Sequence, residues 1–266
     1  MREVANLVRE SAVFAPQSTW QAQDVSNRPD MKLWEVENVV LHVTHMPPIR
    51  PILAREVEPN LPWAEDHFQE RMSGNPLNPG NEYLNWPHWR GQDEMKDGDK
   101  FSHTYMERYW PRLAGIDAGD REDLQYKAFG HSGIRYRYGD LYDVLALLDR
   151  DPYTRQAYVP IFFPEDTGAH HQQRVPCTLG YHFMRRPQLG AHDRFNIYYP
   201  IRSCDYFRHF RDDVYMTVRL AQWMLETLKG QGSNWDDVDL GSFTMHIYSL
   251  HYFEGDRYIH KEFFDG

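Results

Sequence analysis

Cysteine is nearly missing: Cys177 and Cys204 are the only two in 266 residues. A disulfide framework is thereby excluded, which suits a reducing cytoplasm and leaves either thiol free to react. No apolar run approaches the length that spans a bilayer. The amino-terminal "MREVANLVRESAVF" scatters charges where a secretory leader needs an unbroken apolar stretch. The expected setting is soluble and cytoplasmic, with no membrane partner. An excess of positive charge is also lacking, with 29 Lys and Arg against 39 Asp and Glu and a formal net charge of −10. That balance argues against a broad nucleic-acid surface. It leaves room for a small phosphorylated ligand, which needs only a few convergent arginines. There is no HExxH and no paired CxxC, so the fourteen histidines, His170 and His171 among them, are read as loop residues and no metal is expected. No repeat, low-complexity tract or Gly/Ser-rich linker divides the chain, and residues 1–266 are expected to form a single α+β domain.

What is present is strongly patterned. "LWEVENVVLHVTH" and "STWQAQDV" have strand-like β-branched and alternating content. "NLPWAEDHFQERMSG" predicts a helix, with Pro62 and the acidic Glu65 and Asp66 early and Gly74 at its end. Residues 75–100, rich in Pro, Gly, Asn and Trp, predict a long surface loop able to cover a site. "LYDVLALLDRDP" predicts a helix ending before Pro152, followed by the strand "QAYVPIFF". "CTLGYHFMRR" and "FNIYYPIRSCD" predict an antiparallel pair across "PQLGAHD". In "DDVYMTVRLAQWMLETLK", Val214, Val218, Ala221, Met224 and Leu225 fall at helical spacing and predict the long core helix. In "SFTMHIYSLHYF", strand alternation puts His246, Tyr248 and Leu250 on one face and Met245, Ile247 and Ser249 on the other.

The chemistry concentrates in "RSCDYFRHFRDDVY", Arg202–Tyr215, where charged side chains, a hydroxyl and a thiol sit among four aromatic rings. Such a mixture suits the wall of a polar pocket better than a solvated helix face or a core segment. Cys177 follows Pro176 at a predicted strand start; taken alone, it reads as a small buried hydrophobe. The order "PC", then "RSCD", then "HIYSLH", with "DRDPYTRQAYVPIF" before the cysteine and "FQERM" earlier, resembles the thymidylate synthase superfamily from Glu70 to His251, roughly two thirds of the chain.

The resemblance implies a thymidylate synthase-like α+β fold: a mixed sheet with packed long helices, and a homodimer formed through the sheet. It implies Cys177 as a nucleophile adding to C6 of a pyrimidine nucleoside monophosphate, a role for which thiolate chemistry is suited and which nearby positive charge such as Arg202 would assist. Arg202 and Ser203 would hold the 5′-phosphate, with Arg155 supplied by the other protomer. His246 and Tyr248 would bind the sugar hydroxyl, Asp205 the folate pterin, and Glu70 would organise water and proton transfer near the base. Two positions depart from the family: its second phosphate arginine is Gln156 here, and a loop glycine is His209. The co-substrate implied is 5,10-methylenetetrahydrofolate.

Eight residues after Asp205, where the synthases carry an asparagine that pairs with uracil, stands Asp213. A carboxylate accepts from the cytosine amino group but cannot donate to uracil O4, and one proton shared with N3 satisfies both cytosine contacts. Asp213 also suits a helix cap, a duty Asp212 can perform instead. "Phe210-Arg211-Asp212-Asp213" resembles the phage deoxycytidylate hydroxymethylases, and the family's tyrosine-glycine before its Trp segment reads Ser132-Gly133 here, a change that would admit water. The expected reaction is therefore dCMP to 5-hydroxymethyl-dCMP. "NLPWAEDHFQERMSGNPLNPG" also has the look of a branch acting on CMP, although the retained Ser203 leans toward dCMP. Remaining alternatives are CMP hydroxymethylation, methyl transfer to dCMP or dUMP, a non-catalytic nucleotide- or RNA-binding relative, and a histidine-based metal hydrolase.

Overall fold

A computed structural model describes residues 1–20, 23–86, 96–114, 139–167 and 174–265. Ser132-Gly133 and His170-His171 lie outside the described residues. The strands are β1 (Val13–Ala15), β2 (Thr19–Trp20), β3 (Gln23–Asp24), β4 (Leu33–Val43), β5 (Lys96–Asp97), β6 (Lys100–Phe101), β7 (Tyr158–Pro160), β8 (Gly180–Arg186), β9 (Asp193–Ile201), β10 (Cys204–Asp205) and β11 (Val238–Phe253). The helices are α1 (Arg2–Ser11), α2 (Arg50–Val57), α3 (Trp63–Met72), α4 (Asn81–Leu84), α5 (Tyr105–Tyr109), α6 (Leu141–Arg150), α7 (Phe210–Gln231), α8 (Glu254–Ile259) and α9 (Lys261–Asp265).

The architecture is α+β, built on a mixed seven-stranded sheet in the order β1-β4-β11-β9-β8-β7, with β10 also paired to β11. Strands β9 and β10 run parallel to β11; the other pairs are antiparallel, including β8 with β9 across "PQLGAHD". Helix α7 carries Val214, Val218, Ala221, Met224, Leu225 and Leu228 into the same core as Phe195, Ile197, Met245 and Ile247 of the sheet. Its apolar stripe at helical spacing is what buries it lengthwise.

Two polar clamps fix α3 and the turn leading into it against α7. Glu65 accepts from Tyr215 Oη at 2.6 Å and from Arg219 Nε at 3.0 Å, and Asp212 accepts from the backbone and side-chain nitrogens of Asn60, both at 2.8 Å. Both carboxylates thus join elements, and the residue at the N-cap of α7, His209, makes no side-chain cap bond.

Several elements are shorter or turned relative to the sequence reading. The strand expected over "QAYVPIFF" is confined to Tyr158–Pro160, and the loop expected over residues 75–100 contains α4. The alternation along β11 also shifts phase. His246 and Tyr248 share a face, their ring centroids 4.8 Å apart, but Leu250 is fully buried in the core instead of lying with them. Tyr248 lies between the Ile247–Val39 and Ser249–Glu37 pairs, where the facing Asn38 has a φ of 56°. That left-handed residue is a local irregularity of the kind that re-aims side chains along a strand.

Candidate active site

A cavity of about 430 Å³ opens between the sheet, α3 and the start of α7. Cys177, Arg202, Ser203, Asp205 and Asp213 all line it, although the set spans 37 positions of chain. The sheet explains the convergence. Strand β9 ends at Ile201 and the chain resumes pairing with β11 at Cys204, so Arg202 and Ser203 bend out between two hydrogen-bonded stretches. The Arg202 amide donates to Cys177 O at 2.9 Å, and its carbonyl accepts from Ser249 N at 3.2 Å. Its guanidinium holds the cysteine loop from the other side, Nε donating to Pro176 O at 2.9 Å and Nη2 to Val175 O at 3.0 Å.

Asp213 stands in the first turn of α7 and faces the cavity. Burial pushes its carboxyl up to about 7, opposed by the nearby Arg71 cation and reinforced by Asp212. The Cys204 thiol lies 3.6 Å from Asp213 Oδ2. Burial first, and then the negative charges of Asp213 and Asp205 with Cys177 nearby, keep that thiol far above its usual range, so it is a donor. Near neutral pH the cavity thus contains an acid that exchanges its proton readily.

Asp205 is a different carboxylate. Burial alone would raise its pKa, but Arg208 and the neighbouring histidines overcome this and hold it low. Its Oδ1 accepts from the amides of Phe207 and Arg208, and its Oδ2 from Arg208 Nη1 at 2.8 Å. Arg208 in turn forks onto Asp256, at 2.9 and 2.6 Å, which anchors α8 to the cavity wall. Ser203 Oγ sits 3.4 Å from Nδ1 of His251, a cavity residue whose burial lowers its pKa and keeps the ring neutral.

Glu70, His246, Tyr248 and Arg155 do not line the cavity. Glu70 sits behind the lining: its Oε1 accepts from Asn81 N at 2.7 Å and its Oε2 from Glu82 N at 3.3 Å, at the start of α4, and Oε2 lies 3.7 Å from Nδ1 of the cavity residue His67. His246 and Tyr248 are partly exposed on the sheet face opposite to the one that buries Met245 and Ile247. Arg155 is exposed, and its carbonyl accepts from His182 Nε2 at 3.1 Å, which places it beside that same outward face.

In their stead α3 presents Trp63, His67 and Arg71, spaced four apart and so on one helix face. His67 stacks on Trp63 with centroids 5.1 Å apart, and its Nε2 lies 2.9 Å from Arg71 Nη2. A guanidinium only donates, so Nε2 accepts and the ring proton sits on Nδ1. Burial, with the Arg71 and His209 charges, drives the His67 pKa well below its usual value and keeps the ring neutral. Further cavity residues are Tyr105, Trp86, His209 and Arg174, a guanidinium three positions before Cys177. Trp86 and His209 stack at 4.5 Å, so the departure at 209 supplies a ring to the wall.

Among the described residues no group of three or more His, Cys, Asp and Glu side chains could hold a metal ion. No helix among them is long and apolar enough to cross a membrane. No protein-family model matches the chain, and no curated protein matches it significantly.

Proposed function

We propose that the protein transfers a one-carbon unit to C5 of a pyrimidine nucleoside monophosphate, with dCMP converted to 5-hydroxymethyl-dCMP. The observation that carries this reading is the meeting, in one cavity, of a partly exposed free thiol at Cys177 with Arg202, Ser203 and an Asp213 whose pKa is raised to about 7. A nucleophile, a phosphate grip and a cytosine-edge acid are the three things such a reaction needs, and the volume suits a nucleotide-sized ligand.

The phosphate lies against Arg202 and Ser203, with Arg174 a further cation in place of the arginine absent at Gln156. The cytosine amino group donates to Asp213, and one proton is shared between Asp213 and N3. Addition of the Cys177 sulfur to C6 makes C5 nucleophilic, while that shared proton offsets the charge pushed onto the ring. Aromatic faces at Trp20, Trp63, Trp86 and His103 suit a flat heterocycle such as a pterin, and Asp205 is a carboxylate of the same lining. When bound, 5,10-methylenetetrahydrofolate supplies the one-carbon unit at the formaldehyde level. Once that carbon is joined to C5 and the C5 hydrogen has left as a proton, the bond between that carbon and the folate nitrogen breaks, tetrahydrofolate leaves, and water adds to the exocyclic methylene carbon that remains. The C6–S bond then breaks to release the hydroxymethyl product.

A second protomer is part of the proposal. The outward sheet face carrying His182, His246 and Tyr248 stays partly exposed, and Arg155 borders it. A partner seated there would bring its own Arg155 toward the phosphate.

The deciding experiment is a competition of CMP, dCMP and dUMP in the presence of methylenetetrahydrofolate, read by product mass. Hydroxymethyl and methyl products differ by one oxygen. Formation of dihydrofolate with a methyl product overturns hydroxymethylation. Failure to release tritium from any C5-labelled nucleotide overturns catalysis altogether, in favour of a nucleotide- or RNA-binding role.

A further inference from the structure

Arg71 lines the cavity and yet is only 5% exposed. Among the described residues no carboxylate oxygen approaches it within 4.0 Å, and its Nε makes no hydrogen bond. Its neighbours are neutral: His67 Nε2 at 2.9 Å, the face of Tyr105 with the guanidinium carbon 4.3 Å from the ring centroid, and the Tyr109 hydroxyl. Other shielded arginines are treated differently. Arg108 meets Asp166 at 2.8 Å, Arg208 meets Asp205 and Asp256, and Arg219 meets Glu65. A buried cation without a counter-charge is costly, and such a cost persists where a ligand supplies the missing charge.

Position indicates which charge that is. Tyr105, under the guanidinium, accepts from Thr178 Oγ1 at 3.1 Å, next to Cys177. On the α7 side Asp213 lines the same cavity and feels the Arg71 charge, which helps to loosen its proton. His67 fixes the guanidinium by accepting from Nη2 without adding negative charge. Arg71 is therefore linked through Tyr105 and Thr178 to the stretch that bears the nucleophile, and through its charge to the acid that meets the base edge.

Resting on the pyrimidine reading above, we propose that Arg71 is a catalytic residue of the base subsite. Its guanidinium donates to a ring carbonyl oxygen, O2 in cytosine, and stabilises the negative charge that Cys177 addition delivers into the ring. The electron accounting is closed. A sulfur lone pair forms the S–C6 bond, the C5=C6 pair moves through C4 toward N3 and is shared with O2, and the Asp213 proton passes to N3. Arg71 transfers no proton and holds the oxygen by hydrogen bonds.

The test compares wild type, Arg71→Met and Arg71→Lys in ligand-free melting, dCMP binding by equilibrium dialysis, and tritium release from C5-labelled dCMP. For Arg71→Met the expected melting temperature is unchanged or higher, because an unpaired buried charge has been removed. Its dCMP affinity stays within about fivefold, and tritium release falls about 100-fold or more, the scale of losing one charge-stabilising donor. Arg71→Lys recovers part of that release. Tritium release within about threefold of wild type in the Met variant overturns the proposal, as does a large drop in melting temperature with loss of dCMP binding. If the Met variant does not fold, the Lys variant decides: slower release at unchanged affinity supports the role, and weaker affinity at an unchanged rate overturns it. A wild-type protein that neither binds dCMP nor releases tritium overturns the pyrimidine reading itself, and the proposal with it.

Discussion

The Cys204 thiol and the Asp213 carboxylate meet at 3.6 Å, joining the strand end that bears Arg202 and Ser203 to the first turn of α7. Both groups are kept protonated by burial, the thiol throughout the physiological range and the acid only up to about pH 7. The contact therefore changes character with pH.

That change has a sign. Asp213 in the folded protein titrates near 7, against 3.8 for an ordinary aspartate, so between those values the native state binds more protons than the unfolded chain. Stability from this group is fully present below pH 4 and is lost as pH rises through 7. Denaturation midpoints at pH 5 and pH 8 should show Asp213→Asn gaining on wild type at the higher pH. A constant difference between the two proteins would mean that the acid is not shifted.

Base preference should follow the same side chain. An amide at position 213 both donates and accepts, which suits uracil O4 and N3. Asp213→Asn is expected to lower kcat/KM for dCMP at least tenfold relative to dUMP, about the discrimination one polar pair supplies. Competition with mixed nucleotides measures it directly, and unchanged preference removes Asp213 from base recognition.

Cys177→Ala should abolish tritium release while leaving dCMP affinity within about threefold, because the sulfur forms its bond after binding. Equilibrium dialysis alongside the tritium assay separates the two. Residual turnover above about one part in a thousand would point to a different nucleophile.

Glu70 carries a structural prediction. Its carboxylate serves the amides of Asn81 and Glu82, so Glu70→Ala leaves those groups short of an acceptor and should cost about 1–3 kcal/mol in denaturant unfolding. Tritium release per folded molecule should stay within about threefold. Lost turnover with unchanged stability would place Glu70 in the proton chemistry after all.

How far the sequence reaches depends on what each residue's environment adds. Val214 to Leu225 in α7 and the alternation of Met245 and Ile247 in β11 are periodic enough to be read directly, because a repeated apolar face has one way to be buried. The residues from Cys177 to Asp213 declare their chemistry by type, and only their convergence needed the sheet. In α3 the limit is rotational: a step of one residue turns the side chain by about 100°, so Glu70 and Arg71 face different surroundings. Trp63, His67 and Arg71 do recur every fourth position, beside the apolar Ala64, Phe68 and Met72, but spacing alone cannot say that this face meets a cavity. The phase shift near Tyr248 was hidden for a similar reason, since it arises with Asn38 on a strand two hundred positions away.

Through its main chain Arg202 is a keystone: its amide grips the carbonyl of Cys177 and its carbonyl receives the amide of Ser249. The sulfur-bearing residue and the longest described strand thereby share an attachment, and on the proposed reading a disturbance of β11 travels to the sulfur without any ligand contact being lost. On that reading the width of the cavity is better retuned at the stacked rings of Trp86 and His209, which lie outside those main-chain hydrogen bonds.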